Sequence, residues 1–183
     1  EIHGVFAQTL RTLAAKAGPD APLCVIAHSL GTIIASNYLY DLQQSAERDI
    51  LPDSVKESMT DAPLEQGRTL ALLYTLGSPI ALWSLRYPDF GKPICVPSPL
   101  LKEFHPNLTG EWVNFYAPPD VIAFPIKTLN EAYAEAVTRD EPVWVGNVLM
   151  RWNPASHLAY WTGKAVVDPI VDRLCELWHN LNP

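Results

Sequence analysis

Ser29 lies at a predicted junction between a strand and a helix, where a serine could act as a nucleophile. Residues 23–27 form a short apolar run that predicts a strand buried on both faces, and the apolar spacing after Leu30 predicts a helix. No loop separates the two, so Ser29 falls on a sharp strand-to-helix turn. Such a turn projects a serine from the carboxyl edge of a sheet, at a strain cost of about 1–3 kcal/mol. The pattern predicts a serine nucleophile, with the backbone N–H of Leu30 directed at an oxyanion beside it.

The stretch around this serine resembles the nucleophile elbow of the α/β-hydrolases, Gly-x-Ser-x-Gly. Ala27 replaces the first glycine, and Gly31 supplies the second small residue that a crowded turn needs. The resemblance implies an α/β-hydrolase fold, with a mostly parallel sheet flanked by helices, and places the chain with the serine esterases and lipase-like enzymes. The alternative interpretation of Ser29 is an ordinary N-cap on a buried helix.

A serine nucleophile needs a base to take its proton and an acid to orient that base. In the α/β-hydrolases the order along the chain is serine, acid, histidine, with the histidine on a loop before the terminal helix. The resemblance therefore implies His157 as the base, since it lies in an irregular, proline-containing loop just ahead of the last helical segment. His28 adjoins the serine and is expected to point away from it. The other histidines lie too early in the chain or too far along the last helix: His3, His105 and His179.

The predicted acid is Asp120. It directly follows the third apolar run, residues 112–116, and it stands between two rigid apolar segments that would bury it against an imidazole. A simple turn-forming role for Pro118-Pro119-Asp120 is the alternative. Asp89 is the second candidate, because some family members carry the acid after the preceding strand.

The predicted reaction is acyl transfer to water on a small-molecule or lipid ester, through an acyl-enzyme and with no metal or cofactor. Thioesters, amides and acyl transfer would use the same three residues. Ser78, Trp83 and Trp152 are candidate substrate-binding residues, although turn formation by Ser78 and simple loop packing by Trp83 are alternatives. A non-catalytic binding or scaffold module with the same fold is the second function class.

The organisation expected for the 183 residues is one catalytic domain of the α/β class. Beyond the elbow strand, we expect strands at 70–76 and 112–116, a fourth at 143–146, and helices near each end. Residues 80–110 are rich in proline and form a possible lid or cap loop. The resemblance implies that the first strands of the fold are missing, so we expect upstream chain that supplies the second oxyanion donor.

Composition excludes several partners. Lys plus Arg is 13 and Asp plus Glu is 20, giving a net charge of −7, which argues against nucleic acid as a partner. No run of about 18 apolar residues predicts a transmembrane segment, and a cytoplasmic location is expected. The three cysteines are widely spaced and are expected to be reduced and mostly buried. Nothing in the sequence indicates an oligomeric state.

Overall fold

The computed structural model describes residues 2–45, 47–85, 91–147 and 154–182. It is an α/β structure with a four-stranded parallel sheet flanked by helices, which confirms the predicted class. The sheet order is β1-β2-β3-β4, so sequence order and spatial order coincide. The strands are β1 Leu23–His28, β2 Leu70–Leu76, β3 Glu111–Tyr116 and β4 Arg139–Pro142.

The helices predicted at the two ends and after Ser29 are present. The first stops where predicted, because Gly18 has a φ of 110° and its N–H donates to the carbonyl of Ala14 at 3.0 Å. The helices are α1 Ile2–Ala17, α2 Leu30–Gln44, α3 Asp53–Lys56, α4 Ile80–Ser84, α5 Leu101–Phe104, α6 Glu131–Ala136 and α7 Lys164–Leu181. Two short 3-10 helices, Pro154–Leu158 and Tyr160–Thr162, precede α7.

The two apolar strands β1 and β2 differ in burial. Every residue of β2 is buried, as its unbroken apolar run predicts. The expectation that β1 is buried on both faces is wrong, since its side chains alternate irregularly and Ile26 is 37% exposed. The cause is position, because β1 is a terminal strand in the order of the sheet whereas β2 lies between two neighbours.

The fourth strand lies earlier than predicted. Residues 143–146 are not a strand; β4 consists of the polar residues Arg139–Pro142, and it pairs in parallel with β3, with Val113 opposite Arg139 and Tyr116 opposite Pro142. A strand at the end of a sheet needs no continuous apolar run, so hydrophobic pattern alone missed it. Val143 and Val145 are nevertheless buried, which explains why their spacing resembled a strand.

A buried polar network joins three neighbouring strands. The hydroxyl of Thr75 on β2 donates to the side-chain oxygen of Asn114 on β3 at 3.0 Å. The Asn114 amide donates to Asp140 on β4 at 2.7 Å and to the carbonyl of Phe124 at 3.0 Å. Asp140 also accepts the backbone N–H groups of Ile126 and Lys127. These bonds fix the loop that follows Asp120 to the strands beside it.

The chain divides into two compact units. The first comprises residues 1–25, 34–73 and 93–111, and the second comprises residues 26–33, 74–92 and 112–183. Within the first unit, the N–H of Ser98 donates to the carbonyl of Leu70 at 2.8 Å, and the N–H of Cys95 donates to the Gln43 side chain at 2.8 Å. The predicted lid segment 80–110 is therefore divided between the units, and a covering role stays a prediction.

None of the helices in the described ranges has the length and apolar character that a membrane crossing requires. The three cysteines are free thiols. Cys24 is half-buried, whereas Cys95 and Cys175 are exposed, so the expectation of mostly buried thiols is wrong for two of the three.

Candidate active site

Ser29 occupies a strained turn between β1 and α2. Its φ is 54°, and among the described residues other than glycine it is the one with positive φ. Its N–H donates to the carbonyl of Leu76 at 2.9 Å, and its own carbonyl accepts the N–H of Thr32 at 3.0 Å and the hydroxyl of Thr32 at 2.7 Å. These bonds hold the backbone in the left-handed region. The sharp strand-to-helix turn predicted from the sequence is present.

The second unit brings Ser29, His157 and Asp120 together. Nε2 of His157 lies 2.8 Å from the hydroxyl of Ser29, and Nδ1 of His157 lies 2.7 Å from Oδ2 of Asp120. A carboxylate only accepts, so Nδ1 carries a proton, and in the neutral form of the ring the lone pair of Nε2 faces the serine hydroxyl. Asp120 is 2% exposed. The three side chains form one continuous hydrogen-bonded chain from buried acid to partly buried serine.

Tyr160 is a further partner of the acid, and sequence reasoning missed it. Its hydroxyl donates to Oδ2 of Asp120 at 2.9 Å and accepts the N–H of Ala117 at 2.7 Å. The other carboxylate oxygen, Oδ1, accepts the N–H of Ile122 at 3.2 Å. Burial raises the pKa of Tyr160 well above its usual value, so the phenol keeps its proton and remains a donor. Its position three residues after His157 was the available signal.

His28 also contacts the loop that carries His157. Its Nε2 lies 2.7 Å from the carbonyl oxygen of His157, and the two imidazole rings are 4.8 Å apart between centroids. Because a carbonyl only accepts, Nε2 of His28 carries a proton and donates. Burial lowers the pKa of His28, partly offset by this hydrogen bond to the backbone of His157. The sequence predicts only that His28 points away from Ser29, and it gives no sign of this hydrogen bond.

The tightly packed glycine at the site is Gly77 and not Gly31, the second glycine of the elbow. Gly77 has a φ of 57°, and a Cβ there would come 2.7 Å from Tyr160 and 3.2 Å from the ring of His157. A Cβ at Gly31 would meet nothing within 4 Å among the described residues. The expectation that the turn is crowded at Gly31 is therefore wrong, whereas Ala27 is buried as expected.

Ser78 is a buried residue of the turn that follows β2. It is fully buried, and its hydroxyl accepts the N–H of Ile80 at 3.3 Å. The hydroxyl of Thr32 gives its proton to the carbonyl of Ser29, so Ser78 donates to Thr32 across their 2.8 Å contact. These two hydrogen bonds connect the turn after β2 to the turn at Ser29. These bonds and the burial of its side chain favour the turn-forming alternative for Ser78, and a role in substrate binding stays a prediction.

In the described part of the chain, the other predicted site residues make no hydrogen bond or ring contact with Ser29, His157 or Asp120. Trp83 lies in α4 and is 37% exposed, and among the described residues no hydrogen bond or ring contact links it to Ser29 or His157. Trp152 and Asp89 lie outside the described residues, so their predicted roles stay predictions. Leu30 is the first residue of α2, where a backbone N–H has no acceptor within its helix.

An exposed apolar residue directly follows each of Ser29, Asp120 and His157 in the chain. Leu30 after Ser29 is 53% exposed, Val121 after Asp120 is 63% exposed, and Leu158 after His157 is 74% exposed. Trp161, in the same loop as His157, is 53% exposed. Single exposed apolar residues are ordinary on a protein surface, so the notable feature is that one follows each of these three polar residues in the chain.

No family model, curated protein or solved structure matches the chain. The chemistry of the site therefore rests on its own geometry. A serine hydroxyl in a strained turn faces an imidazole lone pair, a buried carboxylate orients that imidazole, and the start of a 15-residue helix adjoins the serine. These are the parts that nucleophilic acyl transfer requires. Among the described residues, no group of three or more His, Cys, Asp or Glu side chains is arranged to hold a metal ion.

Proposed function

We propose that the protein is a serine hydrolase of carboxylic esters with the catalytic arrangement of the α/β-hydrolases. The observation that carries the proposal is the hydrogen-bonded chain from Ser29 through His157 to Asp120, with Ser29 at a positive φ. An N-cap serine would satisfy a helix N–H and would need neither an imidazole acceptor at 2.8 Å nor a strained backbone. The order serine, acid, histidine also agrees with the family.

The reaction begins when His157 takes the hydroxyl proton of Ser29 as that oxygen attacks the ester carbonyl carbon. The carbonyl oxygen becomes an oxyanion, which the N–H of Leu30 and the positive end of α2 stabilise. The imidazolium of His157 then protonates the leaving alcohol, and an acyl-enzyme remains on Ser29. Water, deprotonated by His157, hydrolyses this ester. Throughout, Asp120 fixes the imidazole tautomer and stabilises its positive charge.

The surroundings of the triad favour an ester with an apolar acyl group. The exposed apolar residues that follow Ser29, Asp120 and His157 in the chain could lie against an acyl chain, and that contact would remove their surface from water. A lipid-like ester fits these surroundings better than a charged substrate. Thioesters of apolar acids share the acyl chain and would react by the same steps.

The nucleophile is tested with a fluorophosphonate probe, which modifies an activated serine covalently. The intact protein should be labelled, Ser29→Ala should not, and Ser45→Ala should be labelled like the wild type. Ser45 is a suitable control because its hydroxyl bonds a carbonyl three residues back, Leu42 O, in the first unit. Labelling that survives in Ser29→Ala contradicts the assignment. A folded protein that takes no label favours the non-catalytic binding module instead.

The base is tested by hydrolysis of p-nitrophenyl esters of increasing chain length. His157→Ala should lower kcat by at least about 1,000-fold, since the triad acts as a unit, whereas His105→Ala should leave it unchanged. His105 is an exposed histidine of the first unit whose Nε2 bonds the carbonyl of Asp20. Equal losses in the two variants would show that the wrong histidine is assigned.

A further inference from the structure

The side chain of His28 links the end of β1, beside Ser29, to the loop that carries His157. Its backbone directly precedes Ser29 at the end of β1, while its Nε2–H donates to the carbonyl of His157 at 2.7 Å. The two histidines are 129 residues apart in the chain. The residue beside the nucleophile thus holds the main chain of the residue that supplies the base.

The ring of His28 is fixed by its neighbours on the same loop. Its centroid lies 4.8 Å from that of His157, 5.7 Å from Tyr160 and 6.0 Å from Trp161. Two short 3-10 helices carry these three residues, and such helices have poor internal hydrogen bonding. An external bond to the carbonyl of His157 therefore contributes more to the position of this loop than it would to a regular helix.

We propose that His28 is a positioning residue that acts through the main chain of His157 and keeps the imidazole of His157 aligned with the hydroxyl of Ser29. Its effect on catalysis rests on the function proposed above. Proton transfer from a serine is sensitive to small displacements, and an error of 1 Å in the position of a reacting group can cost about 100-fold in rate. A side chain that holds the base relative to the nucleophile supplies that alignment.

The electrostatics of His28 agree with this role. His157 becomes positively charged during acyl transfer, and a second cation at 4.8 Å would oppose that charge. The titratable groups that face His28 are His157, Asp120 and Tyr160. Burial lowers the pKa of His28, so its ring is neutral near pH 7 and donates its hydrogen bond without adding charge.

Three substitutions separate the hydrogen bond from the shape of the ring. His28→Phe keeps a ring and removes the donor, whereas His28→Gln keeps an amide N–H at about the reach of Nε2. His28→Asn is polar but too short to reach the carbonyl, and it serves where His28→Phe does not fold. His105→Phe and His105→Gln are matched controls, because Nε2 of His105 makes the same kind of bond, to the carbonyl of Asp20 at 2.7 Å.

Two measurements are made on each folded variant. The first is the second-order rate of labelling by a fluorophosphonate. The second is the downfield NMR resonance of the proton between His157 Nδ1 and Asp120, recorded on protein labelled with 15N-histidine, which reports the position of His157 whether or not esters are hydrolysed. Thermal unfolding confirms that each variant is folded.

We expect His28→Phe and His28→Asn to be labelled about 10- to 100-fold more slowly, and His28→Gln to stay within about 3-fold of wild type. The resonance should broaden or vanish in the first two and persist in His28→Gln and in both His105 variants. Wild-type labelling rates and an unchanged resonance in His28→Phe and His28→Asn would overturn the proposal. If the wild type takes no label, the proposed function fails, and the resonance alone then decides whether His28 positions His157.

Discussion

Gly77 and Tyr160 lie so close together that a Cβ on residue 77 would stand 2.7 Å from a ring carbon of Tyr160. The same Cβ would come within 3.2 Å of two atoms of the His157 ring. The turn after β2 therefore packs directly against the loop that carries His157. Tyr160 also donates a hydrogen bond to Asp120, so the glycine after β2 supports the positions of Asp120 and His157 together.

Gly77→Ala should destabilise the protein and disrupt the site. An alanine at a φ of 57° costs about 1–2 kcal/mol in backbone strain, and displacement of Tyr160 adds about 1–3 kcal/mol of overpacking. Urea unfolding should show a loss of about 2–5 kcal/mol, and fluorophosphonate labelling should fall with it. Gly4→Ala is the control, because a Cβ there meets nothing within 4 Å in the described structure and its helix should gain slightly. Equal stability of the two variants would contradict the packing at Gly77.

Tyr160→Phe should weaken catalysis without abolishing it. The change removes the donor to Asp120 and leaves the buried N–H of Ala117 without its acceptor, at a cost of about 1–3 kcal/mol in stability. His157 still bonds Asp120, so labelling of Ser29 should slow by about 10-fold and remain measurable.

Tyr38→Phe is the matched control for this change. Tyr38 is also fully buried, but within the described ranges its hydroxyl has no hydrogen-bond partner. Its removal should be neutral or stabilising by urea unfolding. A loss of stability in Tyr38→Phe as large as that in Tyr160→Phe would show that removing a buried hydroxyl costs this much by itself and that the hydrogen bonds of Tyr160 do not account for its loss.

The cysteines should separate into two reactivity classes. Burial raises the pKa of Cys24 to about 11, so only about 0.1% of it is thiolate at pH 8. Cys95 and Cys175 are exposed. Iodoacetamide at pH 8 should modify these two quickly and Cys24 only after unfolding, as read by peptide mass spectrometry. Modification of Cys24 as fast as Cys95 in the native protein would contradict the burial of its sulfur.

Sequence pattern predicted the elements that carry strong local signals. The apolar run 70–76 is β2 without change, and the helix after Ser29 begins at Leu30 as its spacing predicts. The candidates Ser29, Asp120 and His157 meet in one hydrogen-bonded chain. Their order and their places in loops were informative because the carboxyl ends of parallel strands lie at one edge of the sheet, where the loops that follow them come together.

What the sequence could not show depends on partners distant in the chain. β4 is polar and its pairing comes from β3, so no periodicity marked it. The roles of Tyr160 and His28 depend on a carboxylate 40 residues away and a carbonyl 129 residues away. The position of Ser78 after β2 predicts a pocket residue, but its hydroxyl is hydrogen-bonded to the hydroxyl of Thr32. Contacts of this kind follow from the packed structure and leave no periodic trace in the sequence.

Stability should depend on pH through His28. In the unfolded chain a histidine binds its proton with a pKa of about 6.5, whereas burial lowers the pKa of His28 in the folded protein. Between these two values the unfolded state holds more protons, so the stability contributed by neutral His28 is complete above about pH 6.5 and is lost as the pH falls toward the folded pKa. The free energy of unfolding, measured in urea at about pH 7.5 and about pH 5, should therefore change less between the two pH values in His28→Gln than in the wild type. Glutamine does not titrate, so this variant lacks the contribution of His28. The other histidines are common to both proteins, so their effects on the pH dependence of stability cancel when the two proteins are compared. What remains is the contribution of His28. An identical loss of stability in both proteins at the lower pH would show that His28 takes up its proton as readily in the folded chain as in the unfolded one.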